Sequence, residues 1–315
     1  MAEGFITRRG GAVGIGVAIQ KTPPPINERL SGEIWTIEEL DDIRNSSSSN
    51  FTLMRHLDFN KDFSYDDPTN KSTYITGEGW LPFVYSGEFE GNGFGIINLY
   101  INRPNTNDVA LFFGNEMLIK NLLIHGNVTG NNDVSLIAGL RDGSSCENVA
   151  VFGRVVGNGE IVGGLTGGSS GAGETKDCYS FVNVEGDDQV GGFIGRHRAG
   201  NQSISTSYSV GLVEGNTSVG GFAGNRTAPL PNTFWDTQTS NQSTSSGSTG
   251  LTTAQMTGSS ATNNLTGFDF NNVWKTVVAS QNFAFADGYP ILRSIKEDLQ
   301  LFMQNTLGGF GGFLW

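Results

Sequence analysis

Three histidines, two cysteines and a few recurrent acidic residues are the groups with chemistry to offer in this chain of 315 residues. His56, His125 and His197 stand far apart, none in an HExxH pattern or beside a second histidine, so their spacing gives no zinc site. No G-x-S-x-G supplies a serine elbow, and no G-x-x-x-x-G-K-[ST] supplies a phosphate loop. The glycine clusters GAVGIG (11–16) and GEGW (77–80) lack the strand–helix setting of a nucleotide fold. Glu185 and Glu214 are the pair best placed for acid–base work on a glycosidic bond, which needs two carboxylates roughly 5–9.5 Å apart. Asp187 and Asp188 follow at the next turn. A solvated row of carboxylates is the ordinary explanation of that group, and equally of Asp66 and Asp67 ahead of Pro68. Cys146 and Cys178, 32 residues apart, read as reduced, buried thiols and not as a stacked pair or a disulfide framework. The expectation is therefore no enzyme, no catalytic or metal-ligating residues, no cofactor, and binding residues left unassigned.

What positions these groups is a repeat. QVGGFIGR (189–196) returns as SVGGFAGN (218–225), with fainter copies IVGGLTGG (161–168) and VSLIAGL (134–140). The anchors Val134, Val162, Val190 and Val219 are 28, 28 and 29 residues apart, and VALFFGN (109–115) is a looser copy 25 residues before the first. In the same register stand Val128, Val156, Val184 and Val213, six residues before each anchor; Ile137, Leu165, Phe193 and Phe222, three after; and Gly139, Gly167, Gly195 and Gly224, five after. Four residues before the anchors come Gly130, Asn158, Gly186 and Gly215. Short β-prone runs alternate with Gly, Asn and Asp, which spells strand, turn, strand. A helix is excluded, because glycine at this density costs roughly 1 kcal/mol per position. Residues in phase should stack about 4.8 Å apart, valine on valine, Phe193 on Phe222 and Tyr179 on Tyr208, with glycine supplying positive φ at the corners. That is a parallel β-solenoid. The two tyrosines are either a sugar platform or a buried stack inside the solenoid.

VGGFIG and VGGFAG, each preceded by YSxxxVEG, resemble the glycine-rich GLUG repeats of bacterial and phage surface proteins. The run 232–292, from NTFWDTQTS to YPIL, is similar to the segment that closes such arrays. IWTIEELDDI (34–43), FTLMRHLDFN (51–60) and WLPFVYSGEFEGNGFGIINLYI (80–101) are similar to the lead-in. The resemblance spans about residues 31–293. It implies a parallel β-helix and surface exposure, and it maps no active site. Copy 134–140 departs from the pattern: Ser135-Leu136 replaces Gly-Gly, implying a more apolar coil.

Composition agrees. Glycine is 45 of 315, only 16% of residues are charged and the net charge is −12. That balance disfavours nucleic-acid binding, which needs clustered Lys and Arg. No run of 18 apolar residues is present, and Ala12–Ile19 lacks the flanks of a secretory signal.

The fold expected is all-β: a right-handed parallel β-helix with an N-terminal helical cap, a loop-rich C-terminal cap and a short C-terminal helix. Residues 1–30 form an assembly arm with a stiff Pro23–Pro25 spacer, its GFITRRGG opening resembling some phage tail-appendage proteins. Residues 31–107 hold the capping helix and first coils, with a Thr36/Glu39 capping box turning Ile37, Leu40 and Ile43 inward. The repeats occupy 108–230. The cap, 231–293, sets Trp235, Phe268, Phe270 and Trp274 over the last coil. In 294–315, a helix with a Ser294/Glu297 box and a stripe of Ile295, Leu299, Phe302 and Met303 leads to the aromatic docking tail Phe310, Phe313, Leu314 and Trp315. The function expected is a non-catalytic structural or attachment protein of a virion appendage (tail fibre, spike or capsid fibre), made in a host cytoplasm and able to bind host surface glycans. Its partners would be other virion proteins, through the arm and tail, and further copies of itself, a trimer favoured, with no nucleic acid and no membrane insertion. The alternatives are a bacterial cell-surface adhesin or exopolymer-binding module and, from another class, a glycan lyase or hydrolase.

Overall fold

The computed structural model describes residues 23–60, 74–141, 143–198, 202–227, 230–279 and 287–307. The arm 1–22, Asp66 and Asp67, and the tail Phe310, Phe313, Leu314 and Trp315 lie outside them. Three parallel sheets wind into one β-helix. The long face runs from Glu33–Ile34 through Phe51–Leu53, Glu88–Glu90, Leu118–Gly130, Ser145–Gly157, Tyr179–Glu185, Ser207–Val210 and Thr233–Asp236 to Thr249–Leu251. The anchor valines head a second sheet of Glu160–Gly163, Asp188–Gly191 and Thr217–Gly220. A third carries Phe83–Val84, Phe112–Asn115, Ala138–Arg141, Thr166–Ser169, Ile194–His197 and Ala223–Arg226.

The expected columns exist. Val109 bridges Val134, Val134 bridges Val162, and Val162, Val190 and Val219 pair in register. Phe193 stacks on Phe222 at 4.5 Å between ring centroids, inside the tube. One column is shifted by a residue. Val155, not Val156, pairs with both Val128 and Val184, and Gly157, not Asn158, pairs with Gly130. This coil has one extra residue in the turn after Gly157, so counting back six from Val162 stops one residue short, at Val156. The glycine column is therefore complete: Gly130, Gly157, Gly186, Gly215.

The positive φ expected of glycine is found at Gly143, Gly153, Gly171 and Gly211 but not in this column. The residues of the column are glycine because the anchor valines fill the space a Cβ would take: one on Gly157 would meet Val162 Cγ2 at 2.3 Å, and one on Gly186 would meet the same methyl at 2.7 Å. Left-handed corners fall instead to Asp108, Asp133, Ile161, Gln189 and Ser218, each directly before an anchor valine, with φ from 51° to 67°. A second such column is Asn121, Asn148, Asp177, Thr206 and Asn232, φ from 42° to 55°. Asn and Asp tolerate this conformation through local hydrogen bonding. Asn148 Nδ2 donates to Asn121 Oδ1 at 3.1 Å, and Asn121 donates in turn to Glu90. Ile161 at φ 67° and Thr206 at φ 42°, both β-branched, are the outliers of the two columns.

The N-terminal end is closed as expected. Thr36 Oγ1 accepts from Glu39 N–H and the Glu39 carboxylate accepts from Thr36 N–H, opening a helix at Ile37–Asp42 that buries Ile37 and Leu40, with Ile43 behind them. At the other end Trp235 fills the tube: a Cβ on Gly221 would come within 2.0 Å of its ring. In the coil without a Gly-Gly pair, Ser135 and Leu136 are both buried.

Gly195 tests the packing. A Cβ there would meet Val162 N at 2.6 Å, Gln189 O at 2.7 Å and Gly167 O at 2.8 Å, all main-chain atoms that cannot step aside. Gly195→Ala is expected to destabilise by about 1–3 kcal/mol or more, read as a lowered midpoint in thermal or urea unfolding.

Candidate functional site

The outer side of the long face divides into four rows, because alternate residues of each strand point outward and the coils are in register. The first is Leu123, Ala150, Tyr179, Tyr208 and Phe234; the second is His125, Phe152, Phe181 and Val210. The third is Tyr100, Asn127, Arg154 and Asn183; the fourth is Asn102, Thr129, Val156, Glu185 and Glu214. Two rows are dominated by apolar groups and two by polar ones, and the boundary keeps its place from coil to coil.

The C-terminal segment covers the first two rows. This corrects the expected position of the cap. Trp235 does close the last coil, but Phe268 and Trp274 lie sideways against the sheet with Tyr179 and Tyr208. The tyrosines are stacked at 5.2 Å with rings 2° from parallel, and they are buried outside the tube, not inside it. Each hydroxyl finds a partner in the covering layer: Tyr179 donates to Gln300 Oε1 at 2.8 Å and Tyr208 to Pro290 O at 2.5 Å. Trp274 Nε1 donates to Asp177 Oδ1, and the buried Asp236 carboxylate accepts from Tyr289 and Thr253. A hairpin of Trp274–Val277 and Gly288–Leu292 leads to the helix Glu297–Leu307. The Ser294/Glu297 box does not form: the helix begins at Glu297, and Lys296 N–H, just ahead of it, donates to Gly93 O of an early coil. Leu299 and Met303 turn inward with Ile295, whereas Phe302 is 37% exposed. Gln300 and Gln304 take its place in the buried surface. Gln300 holds Leu292 through both N–H and C=O besides receiving Tyr179. No apolar pattern marks a buried glutamine, so only its partners reveal it.

Rows three and four remain open to solvent. They present Asn127, Thr129, Arg154 and Val156 around a shallow cleft of about 410 Å³, with Glu185 and Glu214 beyond. Arg154 Nη2 and Glu185 Oε2 pair at 2.6 Å, both half exposed. Asn183 Oδ1 accepts from Leu212 N–H. The result is a flat ladder of amide, guanidinium, hydroxyl and carboxylate groups, repeating about every 4.8 Å along the axis. Glu185 and Glu214 are paired in register, as the phase requires. Their surroundings do not favour glycan cleavage. Both are exposed, Glu185 is engaged by Arg154, and Asp187 by Asn216.

The histidines do not converge. His56 and His125 each accept a backbone N–H on Nδ1, from Gly95 and Asn98. Burial lowers both pKa values against the opposing pull of a carboxylate, Asp298 for His56 and Asp58 for His125, and His125 falls to about 4. His197 contacts Ser169 at 2.7 Å, but both are sealed between coils and unreachable by substrate. Among the described residues no group of three or more His, Cys, Asp or Glu is arranged to hold a metal. Cys146 pairs with Thr175, while Cys178 Sγ sits 3.7 Å from Cys146 O. Both thiols are free and fully buried; burial pushes Cys146 up to about 12 and Cys178 higher than usual, which leaves them unreactive.

Parallel strands stacked in a solenoid define the chain as a β-helix protein, and comparison with solved structures agrees. A crystal structure of a "putative immunoglobulin A1 protease" from Bacteroides ovatus superposes with TM-score 0.56, covering 84% of this chain and 92% of that one, at 16% identity. That likeness is one of fold. Among curated proteins, Halomucin of Haloquadratum walsbyi (strain DSM 16790 / HBSQ001) is 43% identical over 86 residues, 26% of this chain. The match spans 1% of Halomucin's length. No family model matches the chain, so the likeness to GLUG repeats rests on the quoted residues alone.

Two measurements check the site's supporting shell. Gln300→Ala leaves buried groups on Tyr179 and Leu292 unsatisfied and is expected to cost about 1–3 kcal/mol in denaturant unfolding, whereas Phe302→Ser should stay within about 0.5 kcal/mol. Acid is the second. A histidine held below its unfolded pKa of about 6.5 contributes fully above that pH, and the contribution is lost as pH falls toward about 4, where the folded ring at last accepts a proton. Thermal midpoints should therefore drop across this window, and His125→Gln should flatten part of the drop.

Proposed function

We propose that this β-helix is a non-catalytic attachment protein whose ligand face is the open polar half of the long sheet. The setting is a virion appendage, with a bacterial surface as the alternative, and the ligand chemistry is common to both: hydroxyl-rich glycan at a cell surface. One observation carries the proposal. Two rows of the sheet are covered by the C-terminal layer while the adjoining two, rich in hydrogen-bonding side chains, are left bare in the same register on successive coils. A rigid ladder of that kind suits an extended polymer lying along the axis, since amide, guanidinium and carboxylate groups recognise hydroxyls without needing an enclosed pocket. The 86-residue likeness to Halomucin supports a surface role. The exposed, Arg-paired Glu185 supports attachment over cleavage.

A glycan array probed with the purified chain, followed by titration of the best ligand, tests this. Arg154→Glu together with Asn127→Ala is expected to weaken binding about tenfold or more, because each removes a hydrogen-bonding group from the face. Binding that this double variant leaves intact, or release of shortened glycan that depends on Glu185 and Glu214, would overturn it; the latter would establish the hydrolase or lyase alternative.

A further inference from the structure

The two ends of the solenoid differ. The C-terminal end is closed by Trp235 and by the Ser-, Thr- and Gln-rich stretch 237–248. The N-terminal end carries the apolar exposure: Ile26 is 81% exposed, Leu30 74%, Leu81 52% and Val84 52%. Both pairs flank the capping helix. Arg29 ties the first to Glu39, and Arg44 ties the second through Leu81 O and the face of Phe83. Phe83–Val84 is the terminal strand of its sheet, and among the described residues no strand pairs with its outer edge. An apolar, unpaired edge is a template for another strand.

Residues 10–19, GGAVGIGVAI, match that template in sequence. Val13, Ile15, Val17 and Ile19 alternate with Ala12, Gly14, Gly16 and Ala18, so an extended segment would carry one β-branched face and one small face. Charge also fits. The first 22 residues hold Arg8, Arg9 and Lys21 against Glu3 alone, while Glu28 and Asp42 are exposed at the end face, with Glu38 half exposed between them. Pro23–Pro25 joins the two, with Arg29 Nε donating to Pro24 O. A proline run is a stiff spacer that resists the reversal needed to fold the segment onto its own end.

We propose that the N-terminal end of the solenoid is a self-association face, covered by residues 10–19 of a second copy of this chain through strand addition at Val84. The proposal is independent of glycan binding and is tested without ligand. Sedimentation velocity of the full chain over a concentration series is expected to show association that weakens as salt is raised. Leu81→Asp with Val84→Asp, and separately Val13→Asp with Ile15→Asp, should each raise the dissociation constant about tenfold or more. The second pair replaces none of the described core residues, and an unchanged thermal midpoint of that variant separates lost association from misfolding. A full chain that stays monomeric at every concentration, or association unchanged by the arm substitutions, would overturn the proposal.

Discussion

Successive coils are joined by parallel main-chain hydrogen bonds about 4.8 Å apart, and everything else in the molecule answers to that spacing. A coil can differ from its neighbours in side chains, but its backbone must follow the same path. Wherever the path brings one coil's main chain or valine methyls close to another's, a Cβ is excluded. Gly157, Gly186 and Gly195 are therefore space requirements, whereas Asp133, Gln189 and Asn148 meet the conformational requirement at the corners. In these columns the two demands fall on different residues, whereas Gly153 and Gly211 meet both.

The same spacing creates continuous rows on the surface. Inside the tube a row becomes core: Val128, Val155, Val184 and Val213, or Phe193 on Phe222. Outside, the fate of a row depends on its chemistry. Rows containing Leu123, Phe152, Tyr179 and Phe181 expose too much apolar surface to stay bare and are buried by the C-terminal layer, each large side chain contributing about 1.5–3 kcal/mol. Rows containing Asn127, Arg154 and Glu185 need no cover. The open polar face is thus what the covering layer leaves, and the layer fixes its edge through Gln300, Trp274 and Asp236.

Titratable groups follow this geometry more than they follow function. Cys146 and Cys178 lie in the tube and His197 between coils, while His56 and His125 sit where they accept main-chain N–H groups. Each is explained by its place in the stack, so none has to be explained by a reaction. The carboxylates best placed for chemistry by phase, Glu185 and Glu214, stand in open solvent on the uncovered rows.

By itself the sequence determined the winding. The 28-residue period, the Gly-Gly pairs and the alternation of apolar residues specify parallel coils, the valine columns and the stacked aromatics, since each is local and repeats. The Thr36/Glu39 cap was equally legible, being complete within four residues. Local counting failed where one extra residue entered a turn, shifting Val156 for Val155, and where glycine's two uses look alike on paper. Only the tertiary structure decided that the C-terminal segment runs back along the outer face, that Tyr179 and Tyr208 are buried there by Trp274 and Gln300, and hence which rows remain free. Those contacts join residues about a hundred positions apart that share no period, and no pattern within either partner announces the other.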